Sequence, residues 1–299
     1  MIRRLYQGDN LDILRNMKEG SVDAIITDPP FNVQYKLTSI RFDASFDDKW
    51  TFKVGSSIHS KEIELFLNFV KQTNKDKSLF GYLDMVATRL VEFQRILKPT
   101  GSLFWHCNEK TSHYVKLLLD IIFGVENYRN DIVWCYVSSG TRKKGFPKQF
   151  DTIFFYSKGE KNKFYRQKYE MNLSFPYEDE HGEYLYWSKT KNHKVYKNNC
   201  GYISNWWTDI ARVNQMAKAR VYPTQKPQKL YERIIKASTD EDDLILDPFC
   251  GSGTILVASE NLKRQWIGID QNSEAIEITE QRFVDLGHGQ LLPKIEVIK

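Results

Sequence analysis

The run Thr27-Asp28-Pro29-Pro30-Phe31 sets a carboxylate, a rigid double-proline turn and an aromatic ring side by side. Two prolines cannot continue a central strand, so the apolar run Val22-Asp23-Ala24-Ile25-Ile26 must end at Asp28 and present that carboxylate at its C-terminal edge. Such a group suits a planar base with an exocyclic amine. The lone pair of that amine is delocalised into the ring, which makes it a poor nucleophile. Donation of its two N–H groups to the Asp28 carboxylate and to a carbonyl such as that of Pro29 would draw nitrogen towards tetrahedral geometry and free the lone pair. Phe31 would stack on the base and hold it for in-line attack. The bland alternative is a surface turn with an accidental ring.

A second group runs Leu244-Ile245-Leu246-Asp247-Pro248-Phe249-Cys250-Gly251-Ser252-Gly253-Thr254, a strand, a tight glycine turn and a helix start. Glycines belong where a ligand approaches the backbone or where a Cβ would obstruct the dihedrals. No lysine follows Gly253, so a phosphate-binding P-loop is disfavoured, and Leu256 stands where a dinucleotide fingerprint wants its third glycine. What remains is a nucleoside-type ligand whose small charged end sits at the turn. Asp270 ends the next strand candidate, where a carboxylate can accept two ribose hydroxyls. A merely structural βα turn is the competing reading.

The elements that must position these groups alternate along the chain. A strand at Arg4–Gln7 precedes a helix with apolar Leu11, Ile13, Leu14 and Met17, then the strand leading into Asp28. Residues 36–60 are poorly periodic and read as a mobile loop. Helices are expected at Lys61–Gln72, Tyr82–Leu97 and Ser112–Phe123, with a strand at Ser102–His106. Two further strands, Asp131–Tyr136 and Thr152–Tyr156, bracket a basic loop and could form a long hairpin. After a weakly periodic stretch, a helix at Gln228–Ser238, a strand at Asp243–Leu246, a helix at Thr254–Asn261, a strand at Gln265–Asp270 and a helix at Ser273–Phe283 precede a Lys/Gly-containing tail. This alternation predicts a mainly parallel sheet with helices on its faces.

Composition separates the middle of the chain from its flanks. Of 299 residues, 41% are apolar and 27% charged, ordinary for a globular protein and not for a fibrous or disordered one. The net charge of +5 is concentrated: residues 141–222 carry +8 and the remainder −3, and the same window holds 18 of the 41 aromatic side chains. Cations interleaved with rings neutralise phosphates and hold unstacked bases. Arg142, Lys143, Lys144 and Lys148 are the candidate phosphate ligands, and the segment 160–221, with Trp187, Trp206 and Trp207, would read sequence in a groove. Cys107, Cys135, Cys200 and Cys250 form no CxxC pair, and the six histidines show no ligand spacing, so no metal is expected. With no apolar run long enough to span a bilayer and no secretory h-region, a cytoplasmic protein without membrane contact is expected.

The order of three motifs, Thr27-Asp28-Pro29-Pro30-Phe31-Asn32, then Tyr222-Pro223-Thr224-Gln225-Lys226-Pro227, then Leu246-Asp247-Pro248-Phe249-Cys250-Gly251-Ser252-Gly253-Thr254, resembles the S-adenosylmethionine-dependent DNA amino-methyltransferases of the permuted β order. Leu97-Lys98-Pro99-Thr100-Gly101-Ser102-Leu103 and Asn130-Asp131-Ile132-Val133-Trp134 match the texture of their adenine-N6 branch, which includes solitary and type III modification enzymes. The resemblance covers residues 3–285. It implies an α/β fold with a class I methyltransferase-type, Rossmann-like sheet, circularly permuted, with an inserted target-recognition region. Residues 1–140 would form the N-terminal part of the catalytic core, 141–222 the recognition region and 223–299 the C-terminal part.

The same resemblance makes Asp28, Pro29, Pro30 and Phe31 catalytic. It assigns the cofactor S-adenosylmethionine to Asp9, Thr224, Gln225, Lys226, Asp247, Phe249, Gly251, Ser252, Gly253, Thr254 and Asp270. Asp9 would approach the cofactor's adenine amine, and Lys226 its carboxylate. Phe150 stands before Asp151 where relatives often carry a histidine, so no role carries over to that position. The implied activity is site-specific methylation of adenine N6 in double-stranded DNA by base flipping, with Phe31 the leading ring of the pocket and Trp134 and Phe146 the next candidates. A homodimer and a partner restriction endonuclease are compatible with it. The competing readings are cytosine-N4 methylation, against which Asp rather than Ser before Pro29 argues, and a non-catalytic DNA-binding protein on the same fold.

Overall fold

The structure, a computed structural model, describes residues 1–31, 60–75, 77–137, 143–170, 200–213, 225–288 and 294–297. The expected loop at 36–60 lies outside them except for Ser60. Eleven strands occur among the described residues: β1 (Arg3–Gln7), β2 (Val22–Thr27), β3 (Leu97–Cys107), β4 (Tyr128–Cys135), β5 (Phe150–Ser157), β6 (Lys168–Glu170), β7 (Cys200–Tyr202), β8 (Trp206–Trp207), β9 (Leu244–Asp247), β10 (Gln265–Asp270) and β11 (Lys294–Val297). Helices are α1 (Asn10–Asn16), α2 (Lys61–Thr73), α3 (Lys77–Ile96), α4 (Ser112–Phe123), α5 (Gln228–Ser238), α6 (Thr254–Asn261) and α7 (Ser273–Phe283).

Nine strands form one sheet in the order β11-β1-β10-β9-β2-β3-β5-β4-β8, and β6 pairs with β7 in a separate ribbon. The run from β11 to β3 is parallel. The hairpin of β4 and β5 joins antiparallel to β3. Strand β2 shows why this sheet is filled from both sides. All six of its residues are buried, and successive side chains point to opposite faces. Ile25 packs with α1 to α4, while Ala24 and Ile26 pack with α5, α6 and the tryptophans Trp134 and Trp207. The one carboxylate inside this strand, Asp23, is neutralised by Lys98 Nζ at 2.8 and 2.7 Å and accepts the Leu244 N–H at 2.9 Å.

The sheet reverses its winding between β9 and β2. From β9 the chain passes through α6 to β10 on one side, and from β2 it passes through α3 to β3 on the other. Ligands of open α/β sheets bind at such a point, beyond the carboxyl ends of the strands. Here those ends carry the Asp28 turn and the glycine turn.

The middle segment does not stand apart from the catalytic sheet: β5 lies inside that sheet, between β3 and β4, and β8 extends it beside β4. The boundary at residue 141 therefore falls within a hairpin, because its two strands share one hydrogen-bonded ladder. In the tail, Lys294–Val297 adds a parallel strand to β1.

Trp134 fastens the 200–213 segment to the core. Its ring is fully buried, and Nε1 donates to the Ile210 carbonyl at 2.8 Å. Trp134→Phe would keep most of the packing and leave that carbonyl unpaired, at a cost of about 1–3 kcal/mol. A lower melting temperature and faster proteolysis within 200–213 are expected. Unchanged protease sensitivity would refute the fastening role.

Candidate active site

β2 ends at Thr27, and Asp28 projects from the start of the double-proline turn. Strand β9 runs parallel to β2, with Ile25 opposite Leu246, so Asp247 ends level with the same edge. Thr27 Oγ1 donates to Asp247 Oδ1 at 3.1 Å across 220 residues of sequence. One cavity results. Asp28 and Lys226 line it together with Asp247, Phe249, Gly251 and Ser252.

The glycine turn is held from three directions. Cys250 N donates to the Ile269 carbonyl at 2.9 Å, and Gly253 N to the Cys250 carbonyl at 2.8 Å. Asp270 accepts the Gly251 N–H and the Asn272 N–H, each at 2.9 Å. From α7, Thr279 Oγ1 donates to the Gly251 carbonyl at 2.9 Å, and Arg282 reaches the Ser252 carbonyl and Thr254 Oγ1. Gly251 and Gly253 take left-handed dihedrals, φ +48° and +70°. A Cβ at Gly253 would stand 2.6 Å from Thr279 Cγ2, which explains the glycine there independently of any ligand.

Burial pushes the Asp247 carboxyl well above its ordinary range, with the Phe249 N–H and the Thr27 hydroxyl opposing that shift. Asp270 is raised by burial too, against the Asn272 and Gly251 N–H groups. Neither carboxylate has a cationic partner among the described residues. A ligand with a cationic end and ribose hydroxyls would relieve both. The residues present thus fit a positively charged nucleoside.

Asp9 is the N-cap of α1 and accepts the Leu11 N–H. Buried Arg89 fixes it: Nη2 lies 2.6 Å from Asp9 Oδ1, and Nε donates to Asn10 Oδ1 at 2.5 Å. Asn10 Nδ2 in turn donates to the Pro248 carbonyl at 2.6 Å, tying α1 to the glycine turn. Neither Arg89 nor Asn10 stands out in the sequence, because an arginine in an amphipathic helix looks like any solvated charge.

The Asp28 carboxylate has a neighbour at each oxygen. Lys226 Nζ contacts Oδ2 and lies 5.2 Å from the centre of the Phe31 ring. His106 Nδ1 is 3.5 Å from Oδ1, and His106 Nε2 is 3.4 Å from Asp151 Oδ2. Behind them Lys148 Nζ bridges Asp151 and Glu109, each at 2.8 Å. Burial works against Asp151's charge, yet His106 and Lys148 hold its carboxyl well below the usual carboxylate range. His106 and Asp151 are site residues that a search for metal-ligand spacing passes over.

Each expected residue can now be placed. Asp28, Gln225, Lys226, Asp247, Phe249, Gly251, Ser252 and Thr254 line one cavity, with Phe31 beside Lys226 and Asp270 behind the turn. Lys226 contacts Asp28 rather than standing clear for a ligand carboxylate. Thr224, Arg142 and Trp187 lie outside the described residues. Lys143 and Lys144 are exposed, as phosphate ligands must be, whereas Lys148 is committed to Asp151 and Glu109. Of the candidate rings, Phe146 is 96% exposed, and Trp134 is buried and meets His106 edge-on. Trp206 is exposed, and Trp207 is buried beneath the Arg233 guanidinium.

Comparison with known proteins gives the family from sequence and the fold from structure. The N6/N4 DNA methylase family model matches residues 22–281. The chain is 31% identical over 289 residues to the type II methyltransferase M.HpaI of Haemophilus parainfluenzae, covering 95% of this chain and 74% of that one. It is 29% identical over 288 residues to the type II methyltransferase M.BamHI of Bacillus amyloliquefaciens, covering 94% and 56%. The chain thus spans about three quarters of the first relative's length and little over half of the second's. Among solved structures, the M1.HpyAVI–SAM complex superposes with TM-score 0.53 at 22% identity, covering 95% of this chain and 99% of that one. The cytosine-N4-specific PvuII DNA methyltransferase does so with 0.58 at 17%, covering 99% and 94%. At these identities the structures share a fold.

Proposed function

The chain belongs to the N6/N4 DNA methylase family, S-adenosylmethionine-dependent DNA amino-methyltransferases, and on that premise we propose that it methylates the N6 amine of adenine at a specific site in double-stranded DNA. The observation that carries this reading is the single cavity walled by Asp28 on one side and by Asp247, Phe249 and the glycine turn on the other. A methyl acceptor and a methyl donor must meet within bonding distance, and the adjacent ends of β2 and β9 give the two groups of residues one cavity.

Bound S-adenosylmethionine supplies a methyl group already activated on a sulfonium, so no metal is needed. Asp247, Asp270 and the glycine turn would hold it, with Arg89 presenting Asp9. Asp28 accepts an amine N–H at Oδ2 once Lys226 releases that oxygen, the Pro29 carbonyl accepts the other, and Phe31 stacks on the base. Reaching an amine inside a duplex requires flipping the base out at a cost of a few kcal/mol. Exposed Lys143 and Lys144 would hold the backbone phosphates. Asp at position 28 supports adenine over cytosine. The relatives are named type II methyltransferases, which supports the same class of activity here.

Purified protein incubated with methyl-labelled donor and mixed-sequence duplex DNA, followed by nucleoside analysis, tests this directly. N6-methyladenine is expected. N4-methylcytosine would overturn the choice of base, and label absent from DNA would overturn the activity.

A further inference from the structure

Strand β3 carries a histidine that the reaction described above leaves without a task. His106 is 1% exposed and stands between the carboxylates of Asp28 and Asp151. Neither contact is aligned as a hydrogen bond, and Asp28 Oδ1 is itself buried without a donor. Phe31 closes one side, its ring centre 5.7 Å from the imidazole, and Trp134 another at 6.0 Å.

A neutral imidazole has one N–H and one lone pair. Between two carboxylates it can satisfy only one of them. Asp151 is the one its N–H faces, at 3.4 Å from Nε2, because Lys148 at 2.8 Å helps keep that carboxylate anionic. The Nδ1 lone pair then faces Asp28 Oδ1, two acceptors opposed across 3.5 Å. A proton placed between them would satisfy both, and the resulting imidazolium would be balanced by Asp151.

We propose that His106 is a positioning residue that acts through Asp28 as acceptor of the proton shed by the methylated amine. The proposal rests on the amine-methylation reading. As the N–C bond forms and the C–S bond breaks, the C–S electron pair stays on sulfur and positive charge appears on nitrogen. One N–H bond then breaks, its proton passing to the Asp28 carboxylate and on to His106 Nδ1. It returns to water when product leaves.

The other groups near this path keep their charge across the range in which a histidine titrates. Burial, with Asp151 adding to it, pushes the Tyr136 phenol up to about 12. Burial also pushes Tyr82, Tyr231 and the Cys107 thiol upward. Against burial, Asp151 and Glu109 hold Lys148 above its ordinary range. Lys226 sits on the far oxygen of Asp28.

Single-turnover methylation of duplex DNA, followed from about pH 5 to pH 8, tests the proposal. The wild-type rate should fall towards acid, where solvent protons fill Nδ1 in advance. His106→Asn can still donate an N–H to Asp28 but cannot take up a proton. It should react about ten- to a hundredfold more slowly, without the acidic limb and with unchanged cofactor affinity. An equal rate with the acidic limb intact would overturn the proposal, as would a wild-type rate that does not change with pH. If His106→Asn fails to bind cofactor, Asp151→Asn, which removes the charge balancing the imidazolium, is read the same way: a slower rate with an altered limb supports the relay, and an unaltered profile overturns it. A wild type that transfers no methyl group to DNA at any pH would instead remove the amine-methylation reading, and this proposal with it.

Discussion

Asp28→Ala will lower the single-turnover rate of methyl transfer by about 10²- to 10³-fold, equivalent to about 2.7–4 kcal/mol of transition-state stabilisation. The carboxylate is the group that faces developing positive charge on the amine, and it is only 17% exposed. Its loss also leaves Lys226 Nζ and His106 Nδ1 without their shared partner, and the uncompensated lysine would repel the same developing charge. Cofactor affinity should change little, because the glycine turn is held by Asp270, Thr279 and Arg282 and not by Asp28. Asp28→Asn keeps an acceptor oxygen without the charge and should fall between the two. Rates within threefold of wild type, about 0.7 kcal/mol, would remove Asp28 from the mechanism.

Gly253→Val is the second large effect, and it acts on the cofactor side. A left-handed residue with a Cβ costs about 1–2 kcal/mol, and this Cβ would also meet Thr279 Cγ2 at 2.6 Å and Oγ1 at 2.8 Å. Moving Thr279 breaks its hydrogen bond to the Gly251 carbonyl, so the turn itself shifts. Overpacking of this kind adds about 1–3 kcal/mol. Calorimetry should show cofactor binding weakened by about tenfold or more, together with a lower melting temperature. Gly20→Val is the control, since Gly20 has φ +61° and nothing within 4 Å of its Cβ. Equal losses of stability at the two positions, with cofactor binding intact, would show that the contact with Thr279 has no consequence.

Much of the fold can be read from periodicity. Helices at Gln228–Ser238, Thr254–Asn261 and Ser273–Phe283 and the strand at Gln265–Asp270 coincide with the expected bounds: the first and third helices repeat their buried positions at helical spacing, while the other two elements are continuous buried runs whose ends are marked by the glycine turn and by Asp270. β8 and β11 escape such reading. β8 is two residues long, and β11 earns its strand conformation from hydrogen bonds to β1, nearly 300 positions away in sequence. His106 escapes for another reason. At the end of Leu103-Phe104-Trp105 it looks like the last residue of a buried strand, and nothing nearby in sequence shows that Asp28 and Asp151 flank it. The register does: Thr27 pairs with Trp105, and Cys107 with Thr152.

From sequence alone come the chemical inventory and its local geometry: a carboxylate at a strand end stopped by two prolines, a glycine turn between strand and helix, and a ring-rich basic window. These are decided within a few residues, by steric limits on proline and glycine and by the periods of strand and helix. Tertiary structure alone decides that the two turns face one cavity, that Lys226 and His106 share Asp28, and that Lys148 is spent on Asp151. The physical reason is that a strand's neighbours are chosen by which apolar faces bury together. β2 lies beside β9 because both are buried on two sides, and that choice brings Asp28 to Asp247 across 219 positions of chain.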